Sequence, residues 1–577
     1  MISQRFFQIA WPGGKNFPNL WDLIALVLVF GLFVLLSYGS RDMLTPLEAP
    51  QTAGLSLDYW NLPYYGLRTT LRMFAAMAVS IVFTFTYATL AAKSRRAEMA
   101  LIPLLDVLQS VPILGFLSFT VTFFLSLFPG STLGAECAAI FAIFTSQAWN
   151  MAFSFYQSLR SVPRDLDEAA AGFQLTGWQK FWQLETPFAM PSLIWNAMMS
   201  MSGGWFFVVA SEAISVGDVQ VRLPGVGSYL ALAIEQRRTD CVIAAIIAVA
   251  LIILAYDQLL FRPIVAFAEK FRVELSVSET QADSWVRDLF LRTRWLRTLS
   301  ASPANLLRRA SLWRFDWLPR RRGPVSQRLG WLADLLWYAL IGAMVLYSLD
   351  VIVAFLRQSV TLGEVETVVR LTFFTMLRVI AVITLATLIW VPIGVWIGLR
   401  PRIAERVQPL AQFMAAFPAN VVFPIAVVAI LRYRLDPDIW LSGLIIFGTQ
   451  WYIVFNVIAG ASAFPNDLRE ATQNFQVKGV IWWKSVILPA IFPYYITGAI
   501  TASGGSWNAA IVAEYVKWGD DTVAARGIGA YIAQATAAGD YAKIVLGVSV
   551  MSIFVILFNR LLWRRLSVFA ERRLRLM

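Results

Sequence analysis

The sequence predicts an all-α membrane protein that crosses the bilayer many times and consists of two tandem six-helix repeats. Of the 577 residues, 58% are apolar and only 15% are charged. A soluble domain carries about 25% charged residues, and a membrane-spanning helix needs roughly 20 apolar residues in a row. One sequence pattern also occurs twice, at an offset of 302 residues. We therefore expect about a dozen spans, arranged as two copies of one unit.

Twelve apolar runs of span length divide evenly between the two halves, and we expect each to form one transmembrane helix. In the first half they lie at 20–38, 68–92, 102–128, 133–159, 188–212 and 241–262. In the second half they lie at 331–354, 371–398, 408–431, 438–460, 489–514 and 542–563. The residues before the first run are short and basic without a cleavage-site pattern, so they are predicted to be a cytosolic lead.

The predicted domains are a first repeat over 1–262, a linker over 263–330 and a second repeat over 331–577 with a basic tail. The linker holds 13 Lys or Arg against 6 acidic residues, with four Trp interspersed. Arg and Trp at this spacing suit a helix in the lipid headgroup zone, and a solvated tether is the alternative. Lys and Arg collect in alternate loops, which places both termini in the cytosol and explains the net charge of +12 through lipid contact rather than nucleic acid.

The clearest copies of the repeated pattern run over 163–187 and 465–489, each a polar segment between two apolar runs. Pro163 is expected to end the preceding helix, Asp165 to cap the next one, and Glu168 to lie in its first turn. Ala169, Phe173 and Phe181 would then form an apolar flank. We predict a short amphipathic helix in water that offers this flank to a partner.

In both copies, a Glu-Ala pair is followed by a Pro that lies 19 residues after the Glu. The pattern resembles the EAA loop in permease subunits of binding-protein-dependent type I ABC importers, where this loop docks in a cleft of the ATPase. Two copies resemble two permease domains fused in one chain. The resemblance implies ATPase-coupling roles for Glu168, Ala169, Ala170, Phe173, Gly177, Glu470, Ala471, Phe475 and Gly479. We call residues 163–187 and 465–489 the first and second EAA-like loops.

The loops depart from the family pattern at two points. The family usually has Gly six residues after the Glu, whereas this chain has Gln174 and Gln476. Thr472 also replaces the second Ala in the later copy. The departure concerns the backbone turn after the short helix.

The same resemblance implies the partners and the location. Two ABC ATPase domains would bind ATP and Mg²⁺, and a periplasmic or lipid-anchored protein would deliver the solute to a multi-pass permease in the bacterial inner membrane. A Trp…Glu pattern followed by Gly-aliphatic-Gly-x-Tyr looks most like the nitrate, sulfonate, taurine and bicarbonate group, whose substrates are small and mostly anionic. The second half repeats this pattern with Trp507 and Glu514 in place of Trp205 and Glu212.

Residues that could line a pathway or gate also come in pairs. Pro112 and Pro418 interrupt apolar runs, and helix breaks at membrane depth are tolerated beside protein or a water cavity. A packing kink is the alternative. The carboxylates of the Trp…Glu pattern should have buried partners or lie in interfacial water. The candidate pathway or gate residues are Gln109, Ser110, Pro112, Pro418, Trp205, Trp507, Glu212, Glu514, Arg72 and Arg378.

Composition excludes several other roles. The chain has no His, no GxxxxGK[ST] phosphate loop, and two Cys that both lie in apolar runs. We therefore predict no catalytic, metal or cofactor site in this chain. The alternative function is an ion-coupled secondary transporter that uses Glu212 and Glu514, and a polytopic transferase would need a catalytic cluster that the sequence lacks.

Overall fold

The computed structural model describes residues 55–110, 112–129, 131–216, 219–264, 293, 305, 308–314, 327–464 and 466–573. The apolar run at 20–38 and most of the linker lie outside the described residues. Helices dominate the described chain, and its strands form two separate two-stranded antiparallel sheets.

The first half alternates long helices with short connecting elements. Its elements are α1 (Leu62–Lys93), α2 (Arg95–Ser110), α3 (Ile113–Leu127), α4 (Thr132–Arg160), α5 (Arg164–Gly172), α6 (Gly177–Lys180), α7 (Thr186–Glu212), β1 (Ala213–Val216), β2 (Val219–Arg222), α8 (Val226–Glu235) and α9 (Thr239–Tyr256). Register pairs in the β1–β2 hairpin include Ala213 with Arg222 and Val216 with Val219.

The second half begins with a helix that follows the linker and then repeats this order. Its elements are α10 (Gln327–Ser359), α11 (Leu362–Gly398), α12 (Pro401–Ala416), α13 (Phe423–Tyr433), α14 (Pro437–Ser462), α15 (Asn466–Asn474), α16 (Gly479–Trp482), α17 (Leu488–Ala513), β3 (Tyr515–Trp518), β4 (Asp521–Ala524), α18 (Ile528–Ala538), α19 (Tyr541–Phe558) and α20 (Arg564–Arg573).

Eight helical segments among the described residues are long and apolar enough to cross a membrane. Two predicted spans were wrong as single helices: the run at 102–128 is divided between α2 and α3, and the run at 408–431 between α12 and α13. The breaks fall at Pro112 and Pro418, whose backbones are extended (ψ 118° and 107°). Helix α4 is 29 residues long but too polar to count among the eight.

The helices after the two EAA-like loops are longer than the sequence predicted. The segment Gly177–Glu212 has 36 residues, which at 1.5 Å per residue is about 54 Å, against a hydrocarbon layer of about 30 Å. A π-helical turn, Phe181–Glu185, precedes Pro187, and its counterpart Trp483–Ile487 precedes Pro489. Because proline lacks the N–H of a regular helix, a local π turn lets the helix continue past it. The long segments therefore extend well beyond the bilayer core.

The helix after each proline break packs into the core of the other half. Buried residues Val421 and Val427 belong to the apolar cluster centred on the first half. Ile113 and Val121 belong to the cluster centred on the second half. This reciprocal packing is what two repeats related by a two-fold axis would produce, although the axis itself stays a prediction.

Candidate functional site

The two EAA-like loops form nearly identical exposed helices, α5 and α15. Pro163, not Asp165, is the N-cap of α5, and it makes no side-chain capping bond. The predicted cap was therefore wrong: Asp165 lies within the first turn, where its charge favours the positive end of the helix. Glu168 consequently lies two residues further along the helix than predicted, in the second turn rather than the first. Both it and Glu470 are exposed.

Only one residue of the predicted apolar flank packs against the rest of the described chain. Phe181 is buried, whereas Ala169 is exposed and Phe173 is 80% exposed. Phe475 in the second loop is also 80% exposed. Among the remaining predicted coupling residues, Ala170 is buried, Ala471 and Gly177 are half-buried, and Gly479 is exposed. The large exposed aromatic at the same place in both loops leaves apolar surface uncovered.

Each short helix ends in the same left-handed turn. Gln174 has φ 52° and Gln476 has φ 51°, at the position where the resembling family usually has Gly. In the first loop, the N–H of Gln174 donates to Ala171 O (2.9 Å) and that of Leu175 to Ala170 O (3.1 Å). The second loop repeats both bonds. This Schellman motif explains the family preference, because Gly adopts the left-handed conformation without steric cost.

Replacing Gln174 and Gln476 by Gly is expected to stabilise both turns. A left-handed non-glycine residue costs about 1 kcal/mol, so opening of each turn should become about fivefold rarer. Amide hydrogen exchange at the two loops measures this directly. The matched control is Gln473→Gly inside helix α15, which should speed exchange by a similar factor. Equal exchange in the double variant and the natural chain would contradict the assignment of strain.

A buried ionic cluster ties helix α1 to the end of helix α7. The Arg72 guanidinium donates to Glu212 Oε1 (2.7 Å) and to Glu136 Oε2 (2.5 Å). Thr69 Oγ1 donates to Glu212 Oε1 (2.7 Å), and the Gly227 N–H donates to Glu212 Oε2 (2.7 Å). Arg72 and Glu212 are fully buried. We call Thr69, Arg72, Glu136 and Glu212 the first carboxylate cluster.

The second half repeats the arrangement as the second carboxylate cluster: Thr375, Arg378, Asp438 and Glu514. Arg378 pairs with Glu514, which also accepts from Thr375 (2.8 Å) and from the Gly529 N–H (2.7 Å). Asp438 is 3.5 Å from Arg378 and its side chain is 37% exposed, so this cluster is looser than the first. The expected pairing of the two arginines with the two glutamates is present. Neither glutamate faces open space, and a pathway role for them stays a prediction.

The repeated Gly-aliphatic-Gly-x-Tyr pattern requires glycine because a side chain at these positions would clash with the two buried carboxylates. A Cβ at Gly225 would come within 2.3 Å of Glu212, and one at Gly527 within 2.1 Å of Glu514. The same pattern supplies the backbone N–H donors that hold the two carboxylates. The repeated motif is thus one structural unit, in which small residues admit a buried acid to a helix start.

The residues around the proline breaks lie where the two halves meet. The N–H of Ile113 donates to Asn508 Oδ1 (2.8 Å), and Asn420 Nδ2 donates to Phe206 O (3.0 Å). Both bonds cross between the halves. Gln109 is exposed and donates to Asn150 Oδ1 (2.8 Å), whereas Pro112 and Pro418 are buried. The side chain of Ser110 lies outside the described residues.

The two tryptophans are core residues in this structure. Trp205 and Trp507 are each 1% exposed and belong to two different buried clusters. Of the small residues before them, Gly203 faces the other half: a Cβ there would lie 3.8 Å from the Tyr452 hydroxyl. Gly204 instead faces Gln147 of its own half. A gate role for the tryptophans stays a prediction.

A cross-half contact joins the β3–β4 turn of the second half to the end of helix α8 in the first half. The Gly519 N–H donates to Ile234 O (3.0 Å), and Arg237 pairs with Asp521 (3.1 Å). Arg237 has φ 55°, at the position where the other half has Gly539 with φ 68°. We call Arg237, Gly519 and Asp521 the hairpin bridge. Each hairpin follows the end of α7 or α17 and contacts a helix of the other half, β1 with α18 and β3 with α8. Both hairpins therefore lie at this contact, and the two EAA-like loops, at the opposite ends of α7 and α17, lie on one face of the molecule.

Sequence reasoning missed Glu136, Asp438 and the hairpin bridge. The acids did carry a signal, because Glu136 and Asp438 are separated by the same 302 residues as the loop pairs.

The linker makes a contact that the sequence did not predict: Trp178 Nε1 donates to Ala310 O (2.8 Å) and Gln179 Nε2 to Leu312 O (3.0 Å). Residues 308–314 are therefore attached to the first EAA-like loop. The headgroup-zone and tether alternatives concern linker residues outside the described ranges.

A twice-repeated helical membrane protein with two exposed loops on one face and broken helices between its halves has the features of a transport subunit. The comparisons identify its family. The chain matches the family described as the binding-protein-dependent transport system inner membrane component twice, over residues 80–261 and 390–575, and belongs to it. It is thus an ABC importer permease that carries two copies of the domain.

Several relatives of this family resemble one half of the chain. The bicarbonate transport system permease protein CmpB of Synechococcus elongatus is 28% identical over 190 residues, covering 33% of this chain and 65% of the relative. The nitrate import permease protein NrtB of Leptolyngbya laminosa is 26% identical over 178 residues (31% and 60%). The glycine betaine/carnitine transport permease protein GbuB of Listeria monocytogenes is 26% identical over 240 residues (41% and 78%). The chain thus spans less than two thirds of the first two relatives.

Proposed function

We propose that the chain moves a small, anionic solute of the nitrate, sulfonate, taurine or bicarbonate type across the inner membrane, driven by separate ATPase subunits. The chain itself binds no ATP or Mg²⁺ and catalyses no reaction in this proposal. A periplasmic or lipid-anchored binding protein delivers the solute and selects it. The repeats would occupy 1–262 and 331–577, with both termini and the linker in the cytosol.

The duplicated exposed helix is the observation that carries this proposal. Helices α5 and α15 present Glu168 and Phe173, and Glu470 and Phe475, to solvent, and each ends in the same capped turn. An exposed aromatic beside an acidic residue on a rigid helix suits a pocket on another protein. Each loop continues into a long helix that reaches the far side, so motion of a docked ATPase would be transmitted along it.

The relatives support the anionic substrate class. Two of those compared above are named for bicarbonate and nitrate, both small anions. A third is named for glycine betaine and carnitine, so membership of the family alone does not fix the solute. Selection by the binding protein is consistent with the carboxylate clusters, whose arginines already pair with acids of the chain.

The ion-coupled alternative is less well supported. A coupling carboxylate must bind and release an ion or proton during each cycle, and water must reach it. Glu212 and Glu514 are instead fully buried, each held by an arginine, a threonine and a backbone N–H. Family membership also favours an ATP-driven importer.

Charge reversal of both loops tests the proposal. We expect the double variant Glu168→Lys, Glu470→Lys to retain about a tenth or less of the ATPase that co-purifies with the natural chain, because opposed charges at an interface repel. The measurement is the ATPase recovered per mole of chain from its native host, together with solute uptake.

The matched control is Glu405→Lys, which reverses an exposed acid on helix α12 outside both loops. The control should keep its ATPase. Unchanged association and uptake in the double variant would overturn the proposal, and so would uptake that continues without any ATPase.

A further inference from the structure

The two EAA-like loops differ in charge although their backbones match. In the first half, Lys180 pairs with Asp167 (2.5 Å) and Lys93 with Glu185 (2.6 Å). At the offset of 302, Trp482, Arg469 and Ile487 stand in place of Lys180, Asp167 and Glu185. The helices before the loops match at an offset of 306, as for Arg72 and Arg378, and there Leu399 stands in place of Lys93. These two lysines of the first half are therefore paired with acids of the first loop, whereas the second loop has lost both acids of this network and gained an arginine.

A cleft of about 330 Å³ lies beside the second loop and is lined by three positively charged side chains. Arg400, Arg469 and Lys478 line it, together with Thr472 and Gln476 of the loop's last helical turn. Within the described ranges, no carboxylate oxygen lies within 4.0 Å of these three cations. The Arg400 guanidinium lies 4.5 Å from the centre of the Trp396 ring and donates to Trp396 O (2.7 Å), which holds it in place. The cleft thus offers positive charge and hydrogen-bond donors that no acid among the described residues pairs with.

The second half also exposes apolar side chains next to this cleft, whereas the equivalent side chains of the first half contact the linker. Trp178 and Gln179 of the first loop hold linker residues 308–314 through two hydrogen bonds. Their counterparts at an offset of 302 are Val480 and Ile481, which have no side-chain donors and are 79% and 67% exposed. A small free anion would have no use for this apolar surface. A protein partner would bury it.

We propose that the cationic cleft binds acidic side chains of the ATPase subunit that docks on the second EAA-like loop, and that the first loop offers no equivalent site. This inference rests on the proposed function, because it assumes that ATPases dock on both loops. Aspartate or glutamate oxygens would pair with the Arg400 and Arg469 guanidinium groups, which bind carboxylates through two parallel hydrogen bonds. The two ATPase positions are consequently unequal, and the second depends more strongly on salt.

The test uses the full chain in detergent and the ATPase subunit recovered in the co-purification described above. In the triple variant Arg400→Gln, Arg469→Gln, Lys478→Gln, we expect one of two ATPase sites to weaken by about tenfold and to lose most of its salt dependence. Titration with the purified ATPase gives both affinities. The control variant Arg402→Gln, Arg406→Gln removes two exposed cations of helix α12 and should leave both sites unchanged.

The outcomes separate this inference from the proposed function. If both ATPase affinities are unchanged in the triple variant, the cleft does not bind the ATPase, but the proposal that ATPases dock on the loops still stands. Equal weakening of both sites would also overturn the inference, because the first half has Ser94, Asp167 and Thr176 at the positions of the three cations. If inorganic phosphate binds the natural chain but not the triple variant while ATPase affinity is unchanged, the cleft is a free-anion site and the inference is wrong. Absence of any ATPase binding by the natural chain would remove the proposed function and this inference together.

Discussion

Glu212→Ala is expected to lower the free energy of unfolding by roughly 3–5 kcal/mol, the usual cost of leaving a buried charge without its partner. The variant keeps Arg68 and Arg72 buried, and both still pair with Glu136. It also removes one acceptor of the Thr69 hydroxyl and the acceptor of the Gly227 N–H, at the point where helix α8 begins. The midpoint of chemical unfolding in detergent micelles measures the loss.

The equivalent change in the second half, Glu514→Ala, should cost less. Arg378 is 9% exposed and Asp438 is 37% exposed, so water can partly solvate the charge that is left behind. The control Glu235→Ala breaks a pair with Arg222 whose acid is 52% exposed, and it should change stability by about 1 kcal/mol or less. An equal loss for Glu212→Ala and Glu235→Ala would show that the first carboxylate cluster does not stabilise the fold.

A covalent link across the hairpin bridge is expected to reduce solute uptake and solute-stimulated ATP hydrolysis by about tenfold or more. Alternating access requires the two halves to separate on one face and then on the other. Arg237 and Asp521 join the halves on the face opposite the EAA-like loops. Cysteines at these two positions, in a chain whose Cys137 and Cys241 are replaced by Ala, would be joined by a short bifunctional thiol reagent.

The control link stays within one half. Cysteines at Arg222 and Glu235, whose side chains pair at 2.5 Å, can be joined by the same reagent without connecting the repeats. Uptake should survive this link and recover in the bridged variant when a cleavable reagent is cut. Full uptake with the bridge intact would mean that the halves need not separate at this face.

Much of the functional site was open to prediction because the chain repeats itself. Matching residues at an offset of 302 identified both EAA-like loops, and the pairing of Arg72 with Glu212 followed from the cost of leaving a charge unpaired near the membrane. Glu136 and Asp438 are related by the same offset. That their side chains reach the carboxylate clusters depends on how the helices pack, which no local sequence pattern indicates. The cap at Asp165 was wrong because Pro163 already begins the helix with an extended backbone (ψ 142°).

The sequence by itself determined the membrane class, the duplication and the loops that define the family, because apolar run length and a fixed offset are properties of the chain alone. Only the tertiary structure decided how the two copies pack against each other and against the linker. In the structure, two apolar runs are interrupted at Pro112 and Pro418, and the helix after each break packs into the core of the other half. Linker residues 308–314 contact the first EAA-like loop. Those outcomes depend on which surfaces meet in space, and residues far apart in the chain meet only when the helices have packed.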